Sequence, residues 1–118
     1  MTTVEGPFQL SPAPTETELL AKYFRALGDP TRLRILGLLE EEGELSVGQI
    51  VERLGLPQPK VSNHLACLRW CGFVLGEREH RTVYYRLLDD RVTAAIELAR
   101  SLLGDNAEHV RACGTIDG

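Results

Sequence analysis

Residues 46–70, SVGQIVERLGLPQPKVSNHLACLRW, place two helix signals and a sharp stop in one short stretch, and few folds accept that arrangement. Ser46 followed by Gln49 is a capping-box pair, and Ile50, Val51 and Leu54 then recur at helical spacing until Gly55 ends the run. The turn GLPQP leads into a second helical stretch from Gln58 to Trp70. Two short helices across a tight turn, the second preceded by proline and rich in Lys, Ser, Asn and His, form a helix-turn-helix pattern.

The flanking sequence builds a domain around that pair. Residues 1–14 hold three prolines and no helical period, which predicts a flexible arm. Thr15 and Glu18 form another capping-box pair, and Leu19, Leu20, Tyr23, Phe24 and Leu27 make an apolar stripe over about 16–27. Gly28 can end this helix, Asp29 can cap the next, and Pro30 fits a first helical turn. The second helix carries Leu33, Ile35, Leu36, Leu38 and Leu39 and is expected to dissolve into the acidic run EEEGE. After Trp70, the β-prone runs Phe73–Leu75 and Val83–Tyr85 flank the polar stretch GEREHRT, predicting a two-stranded hairpin over 73–87. The expected architecture is therefore mainly α with a small β-hairpin, a winged helix-turn-helix. Asp89 or Asp90 can cap a last helix whose Val92, Ala95, Ile96, Ala99, Leu102 and Leu103 share one face, ending at Gly104. That face has no evident partner within so small a domain, so it is a candidate homodimer interface. Domain boundaries follow at 15–104, with 105–118 as a polar tail containing Cys113.

A chain of 118 residues can bury a core without disulfides or a structural metal. Three cysteines, an odd number, and no charged-then-apolar N-terminal leader point to free thiols in a reducing cytoplasm and to no membrane association. The net charge of −4 is unevenly spread. Residues 53–91 carry seven Lys/Arg against four Asp/Glu, while both ends are acidic. A basic middle third on a helix-turn-helix suits DNA, although each charge could also be an ordinary solvated one.

On the second helix of the pair, Val61, Leu65 and Leu68 form a core stripe, and Cys67 and Cys71 share a neighbouring stripe. Side chains four apart lie about 5–6 Å between Cβ atoms, wider than the spacing of about 3.8 Å that a disulfide prefers. A metal ion bridging two thiolates fits the gap, and so does the plain reading of two small apolar fillers. Soft cations favour sulfur: two thiolates can hold linear Hg(II), and three suit Cd(II), pyramidal Pb(II) or As(III). Cys67 beside His64 also offers a nucleophile and a base, but no oxyanion donor or pocket signature accompanies them, so the chain is not read as an enzyme.

"FRALGDPTRLRIL", "VSNHLACLRWCGFV" and "RTVYYRL", in this order and spacing, resemble the ArsR/SmtB family of metal-responsive repressors over roughly residues 19–103. The resemblance implies a homodimeric winged-helix protein that binds operator DNA without metal and leaves it when metal binds. Two metal sites known in the family are missing. Ser46 and Gly48 stand where a Cys-x-Cys pair would, and DDRVTAAIELARSLLG has no histidine for the site on the last helix. The family's cadmium/lead-sensing branch is similar in having Cys-x-x-x-Cys at the end of the recognition helix and one Cys in the tail, an arrangement matched by Cys67, Cys71 and Cys113. An actinobacterial mercury repressor of the family has similar features. The implied inducer is a thiophilic ion, Cd(II) or Pb(II), with Hg(II) and As(III) as further candidates, and the tail cysteine would complete the site across the dimer. His64 lies on the cysteine stripe, but the family's S-x-H-L pattern places a histidine there whatever the metal. His109 is either a fourth ligand or a solvated tail residue. The rival reading on the same fold is a thiol redox or persulfide switch, which has no need of Cys113.

For DNA, Gln58, Ser62 and Asn63 are the expected base readers, with Lys60 and Arg69 on phosphates. Arg78, His80 and Arg81 at the wing would reach backbone or minor groove, and His64 is included in this DNA-binding set. A dimer predicts a double-stranded operator with an inverted repeat and strong salt dependence.

Overall fold

Helices start here where a side chain can satisfy the first unpaired N–H groups. In the computed structural model, which describes residues 12–114, α1 (Glu16–Leu27) opens on the expected box: the Thr15 hydroxyl accepts from the Glu18 N–H and the Glu18 carboxylate from the Thr15 N–H, both at 3.1 Å. Asp29 caps α2 (Pro30–Glu42), its Oδ1 accepting from the Thr31 and Arg32 N–H groups at 2.8 and 3.1 Å. Ser46 and Gln49 make the reciprocal box of α3 (Val47–Leu54), which ends at Gly55 in the left-handed region, φ 67°. α4 (Gln58–Trp70) differs: Pro57 precedes it and supplies no side-chain cap.

The sheet has three antiparallel strands in the order β1-β3-β2: β1 (Glu44–Ser46), β2 (Val74–Glu79) and β3 (Thr82–Leu87). β1 was not foreseen. At three residues it is too short for a period-2 signal, and it exists because Leu45 pairs with Tyr85 across the sheet. The expected seven-residue polar turn is mostly strand instead. Glu79 pairs with Thr82, leaving His80 and Arg81 as the loop, with His80 at φ 60°. A positive φ at the first loop residue is what the favoured two-residue hairpin turns require. The acidic run also behaves differently: Glu40–Glu42 stay helical, Glu42 pairs with Arg53 at 3.3 Å, and Gly43 at φ 88° makes the stop.

Ile35 and Leu36 of α2, Ile50 of α3, Val61, Leu65 and Leu68 of α4 and Val74 of β2 are at most 1% exposed. Each such side chain contributes about 1.5–3 kcal/mol by leaving water. The α4 stripe is thus the one expected, and it fixes which faces of that helix remain open. These elements form one compact unit, ending at Leu87.

A second unit starts at Leu88 and consists chiefly of α5 (Asp90–Ala112). Asp89 caps it, accepting from the Arg91 N–H at 2.9 Å. Gly104 does not end it; the helix runs eight residues further, to Ala112, and Cys113 is its C-cap. Glycine inside a helix costs only about 0.5–1 kcal/mol, and Ala107, Glu108, Arg111 and Ala112 are helix formers that offset it. The tail expected at 105–118 is therefore helical through 112, and His109 lies on the last helix, where it is the single histidine. Within α5, Val92 and Ile96 are buried, while Leu98, Leu102, Leu103 and Val110 are exposed. Residues 1–11 of the expected arm and residues 115–118 lie outside the described residues. No helix among the described residues is long and apolar enough to cross a membrane.

Candidate functional site

α4 carries its remaining chemistry on two flanks and a crest. Successive residues turn by about 100°, so with Val61, Leu65 and Leu68 inward, His64, Cys67 and Cys71 fall on one flank. Ser62, Ala66 and Arg69 fall on the other, and Asn63 and Trp70 lie between them.

On the first flank Cys67 and Cys71 are free thiols, both half-buried. Burial pushes the Cys71 thiol above its ordinary range. Cys67 raises it further, by charge repulsion and by a hydrogen bond between the two side chains, while the positive charges of Arg32 and Lys22 pull it down. Two sulfurs in hydrogen-bonding contact on one rigid helix are a donor pair suited to a soft metal ion. Cys113 belongs to the second unit and is half-buried at the end of α5. Among the described residues no three His, Cys, Asp or Glu side chains stand together closely enough to hold a metal ion.

His64 is placed differently from its expected role at the DNA. Its side chain is only 15% exposed, and its Nδ1 accepts a hydrogen bond from Arg32 Nε at 3.1 Å, with Asp29 Oδ1 3.9 Å away. The ring ties α4 to the start of α2.

The other flank is open. Gln58, Lys60, Ser62, Asn63 and Arg69 are all exposed, as are Arg78, His80 and Arg81 on the hairpin. A groove of about 470 Å³ runs between α4 and β3, lined by Ser62, Ala66, Arg69, Trp70 and Tyr85. On β2, opposite Tyr85, a Cβ at Gly76 would meet the Tyr85 ring at 3.0 Å, so a larger residue there would have to push that ring aside. The expected base readers, phosphate contacts and wing residues are thus all exposed on one unit, with Lys60 falling by its spacing on the same side of α4 as Cys67.

Residues 29–75 match the family described as bacterial regulatory protein, arsR family. The "Probable mercury resistance operon repressor" of Streptomyces lividans is 41% identical over 104 residues, covering 88% of this chain and 82% of that protein. The chain belongs to the ArsR family. The HTH-type transcriptional regulator CmtR of Mycobacterium tuberculosis is 47% identical over 85 residues, 71% of each chain. A solved homodimeric winged helix-turn-helix DNA-binding domain from Mycobacterium bovis superposes with a TM-score of 0.70 at 29% identity, covering 84% of this chain and 94% of that one. As an ArsR-family member the protein is a winged-helix transcriptional regulator, not an enzyme.

Sequence reasoning missed three residues in this ArsR-family chain. Arg32 was not singled out in the sequence, and only the fold brings it to His64. Trp70, 92% exposed, and Tyr85 were read as parts of a helix end and a strand, yet they wall the groove. A large aromatic on a helix position opposite the core stripe was the available signal for Trp70.

Proposed function

We propose that this protein is a metal-responsive repressor whose dimer holds operator DNA in the metal-free state and releases it when a thiophilic ion binds Cys67, Cys71 and Cys113. The observation carrying this reading is the contact between Cys67 and Cys71 on one flank of the helix whose other flank is exposed. The name of the Streptomyces relative supports a soft-metal inducer, and the Cys-x-x-x-Cys and tail pattern supports Cd(II) or Pb(II) beside Hg(II) and As(III). When bound, such an ion supplies metal–sulfur bonds, with each thiol giving its proton to solvent. The helix brings Cys67 and Cys71, and α5 brings Cys113. Their arrangement in the metal-bound dimer is one the operator spacing does not fit.

On the DNA side, Gln58, Ser62 and Asn63 read base edges, Lys60 and Arg69 hold phosphates, and Arg78, His80 and Arg81 reach from the wing. His64 is left out because its ring is bonded to Arg32. Dimerisation draws on exposed apolar side chains: Leu19, Leu20 and Phe24 on α1, and Leu98, Leu102 and Leu103 on α5. The operator is an inverted repeat, and the setting is the cytoplasm, where thiols stay reduced.

Ultraviolet charge-transfer titration of the reduced protein with Cd(II), Pb(II), Hg(II) and As(III), followed by gel shift on the chain's own upstream DNA, tests the reading. Expected are saturable thiolate-to-metal bands, operator release, and loss of release in Cys113→Ser. Unchanged release in that variant would overturn the three-thiol site. Release by oxidant or persulfide, with metal inert, would favour the redox reading.

A further inference from the structure

The groove between α4 and β3 begins at an expected base reader and ends at a side chain that the repressor reading leaves unused. Ser62 lines one end and Trp70 the other, about 12 Å further along the helix, with Ala66 and Arg69 between them and Tyr85 on the β3 side. Trp70 is 92% exposed and is the one tryptophan of the chain. A broad ring with a polar N–H, held in water beside a groove, is the kind of side chain that interfaces draw on. On β2, Val74, Gly76 and Arg78 alternate onto one face, and the Tyr85 ring lies over Gly76 on that face. Val74 is buried there, so the face turns toward the core at its base, and the exposed Arg78 continues it toward the hairpin loop. The lining holds Arg69 and, among the described residues, no acidic side chain. We propose that this groove seats the sugar-phosphate strand dividing the operator's major groove, entered by α4, from the adjacent minor groove at the hairpin, with Trp70 and Tyr85 as DNA contacts.

Duplex geometry supplies the occupant. Neighbouring major and minor grooves are divided by a single sugar-phosphate strand, so a helix in one and a hairpin at the other leave that strand to pass between them. Such a strand alternates a charged phosphate with an uncharged deoxyribose, and the lining offers groups for both. The Arg69 guanidinium suits a charge-assisted bond to a phosphate oxygen, and the Tyr85 hydroxyl and Trp70 indole N–H are further donors. The Ala66 methyl and the two ring faces suit the deoxyriboses. Contacts of this kind add affinity and register without sequence preference. Ser62 joins the seat to the reading surface of α4. A protein partner could cover the rings as well, but it would have to bring its own acid for Arg69, whereas a DNA strand brings an anion at every nucleotide.

This inference rests on the reading of α4 and the hairpin as the operator-binding surface and is tested apart from it, using the full reduced, metal-free chain and the fragment of its upstream DNA that it shifts in a gel. The single tryptophan reports directly. Trp70 emission is expected to change as the fragment is added and to saturate with the gel shift, and acrylamide should lose most of its access to the indole. Trp70→Ala removes a side chain outside the core, so it should melt like the wild type yet bind the fragment about tenfold or more weakly, as loss of a hydrogen bond to a charged group does. It removes no charge, so the salt dependence should keep its slope, whereas Arg69→Gln should lower that slope by about 1. The weakening in Trp70→Ala should be the same on an unrelated duplex, because a backbone contact carries no sequence. Emission and acrylamide access unchanged where the gel shift is complete overturn the proposal, and this wild-type measurement needs no variant. Trp70→Ala binding within about twofold of wild type also overturns it. An indole already shielded as the DNA-free protein is concentrated would place a second copy in the groove and overturn it likewise. A chain that shifts no upstream fragment removes the operator reading itself and this inference with it, a result visible before any fluorescence is read.

Discussion

The two flanks of α4 are built from the same helix and the same core stripe, yet they are prepared for opposite tasks. The flank bearing Cys67 and Cys71 is half-buried, and its neighbour His64 is fixed by Arg32. The flank bearing Ser62 and Arg69 is exposed and opens into a groove against β3. Nothing flexible separates them. Both flanks belong to one continuous helix, so any displacement of α4 moves them together.

Because both flanks depend on Val61, Leu65 and Leu68, the largest effect comes from damaging what they share. Leu65→Ala removes a side chain that is 1% exposed and should cost about 2–5 kcal/mol, read as a lower urea midpoint. Operator binding and Cd(II) binding should fall together; loss of one with the other intact would mean the flanks are held independently. The next effect separates them. Cys71→Ser leaves the exposed face untouched, so operator affinity should stay within about threefold of wild type, while the Cd(II)-induced weakening, expected at about 5–150-fold, disappears. Anisotropy titrations with and without Cd(II) measure both.

Most of this comparison can be read from the residues, and the part that cannot has a physical reason. Capping boxes at Thr15 and Ser46, the Asp29–Pro30 start and the Gly55 stop are local chemistry, so the helix starts were legible. The core stripe of α4 was legible by period, and with it the thiol flank. β1, the ends of α2 and α5, and the Arg32–His64 bond depend on contacts or continuations that no local signal announces. His64 is the instructive case. Its place on α4 allowed DNA or metal contact, and the fold gives its Nδ1 a hydrogen bond from Arg32, a partner 32 residues away in sequence.

A smaller change on the open flank sharpens the contrast from the other side. Asn63→Ala removes a base reader from the exposed crest and should weaken operator binding by about 1–3 kcal/mol for one bidentate contact. The Cd(II)-induced ratio should be unchanged, because the thiol flank is intact. A ratio that fell with the affinity would place Asn63 in the coupling rather than in the reading.

The smallest effect sets α4 against α5. α4 begins at Pro57 with no side-chain cap, so acidification removes nothing from its start. α5 begins at Asp89, whose carboxylate is held below its ordinary range, first by the hydrogen bonds of the Arg91 guanidinium and then by the Arg91 N–H. Since the folded value lies below the unfolded one, the stabilisation is complete above the ordinary carboxylate range and is lost as pH falls through the lowered folded value. Amide exchange should therefore show the first turn of α5 opening on acidification while the first turn of α4 keeps its protection, and Asp89→Asn should abolish the pH dependence at α5. Equal loss of protection at both helix starts would mean that acid acts on the fold as a whole and not on this cap.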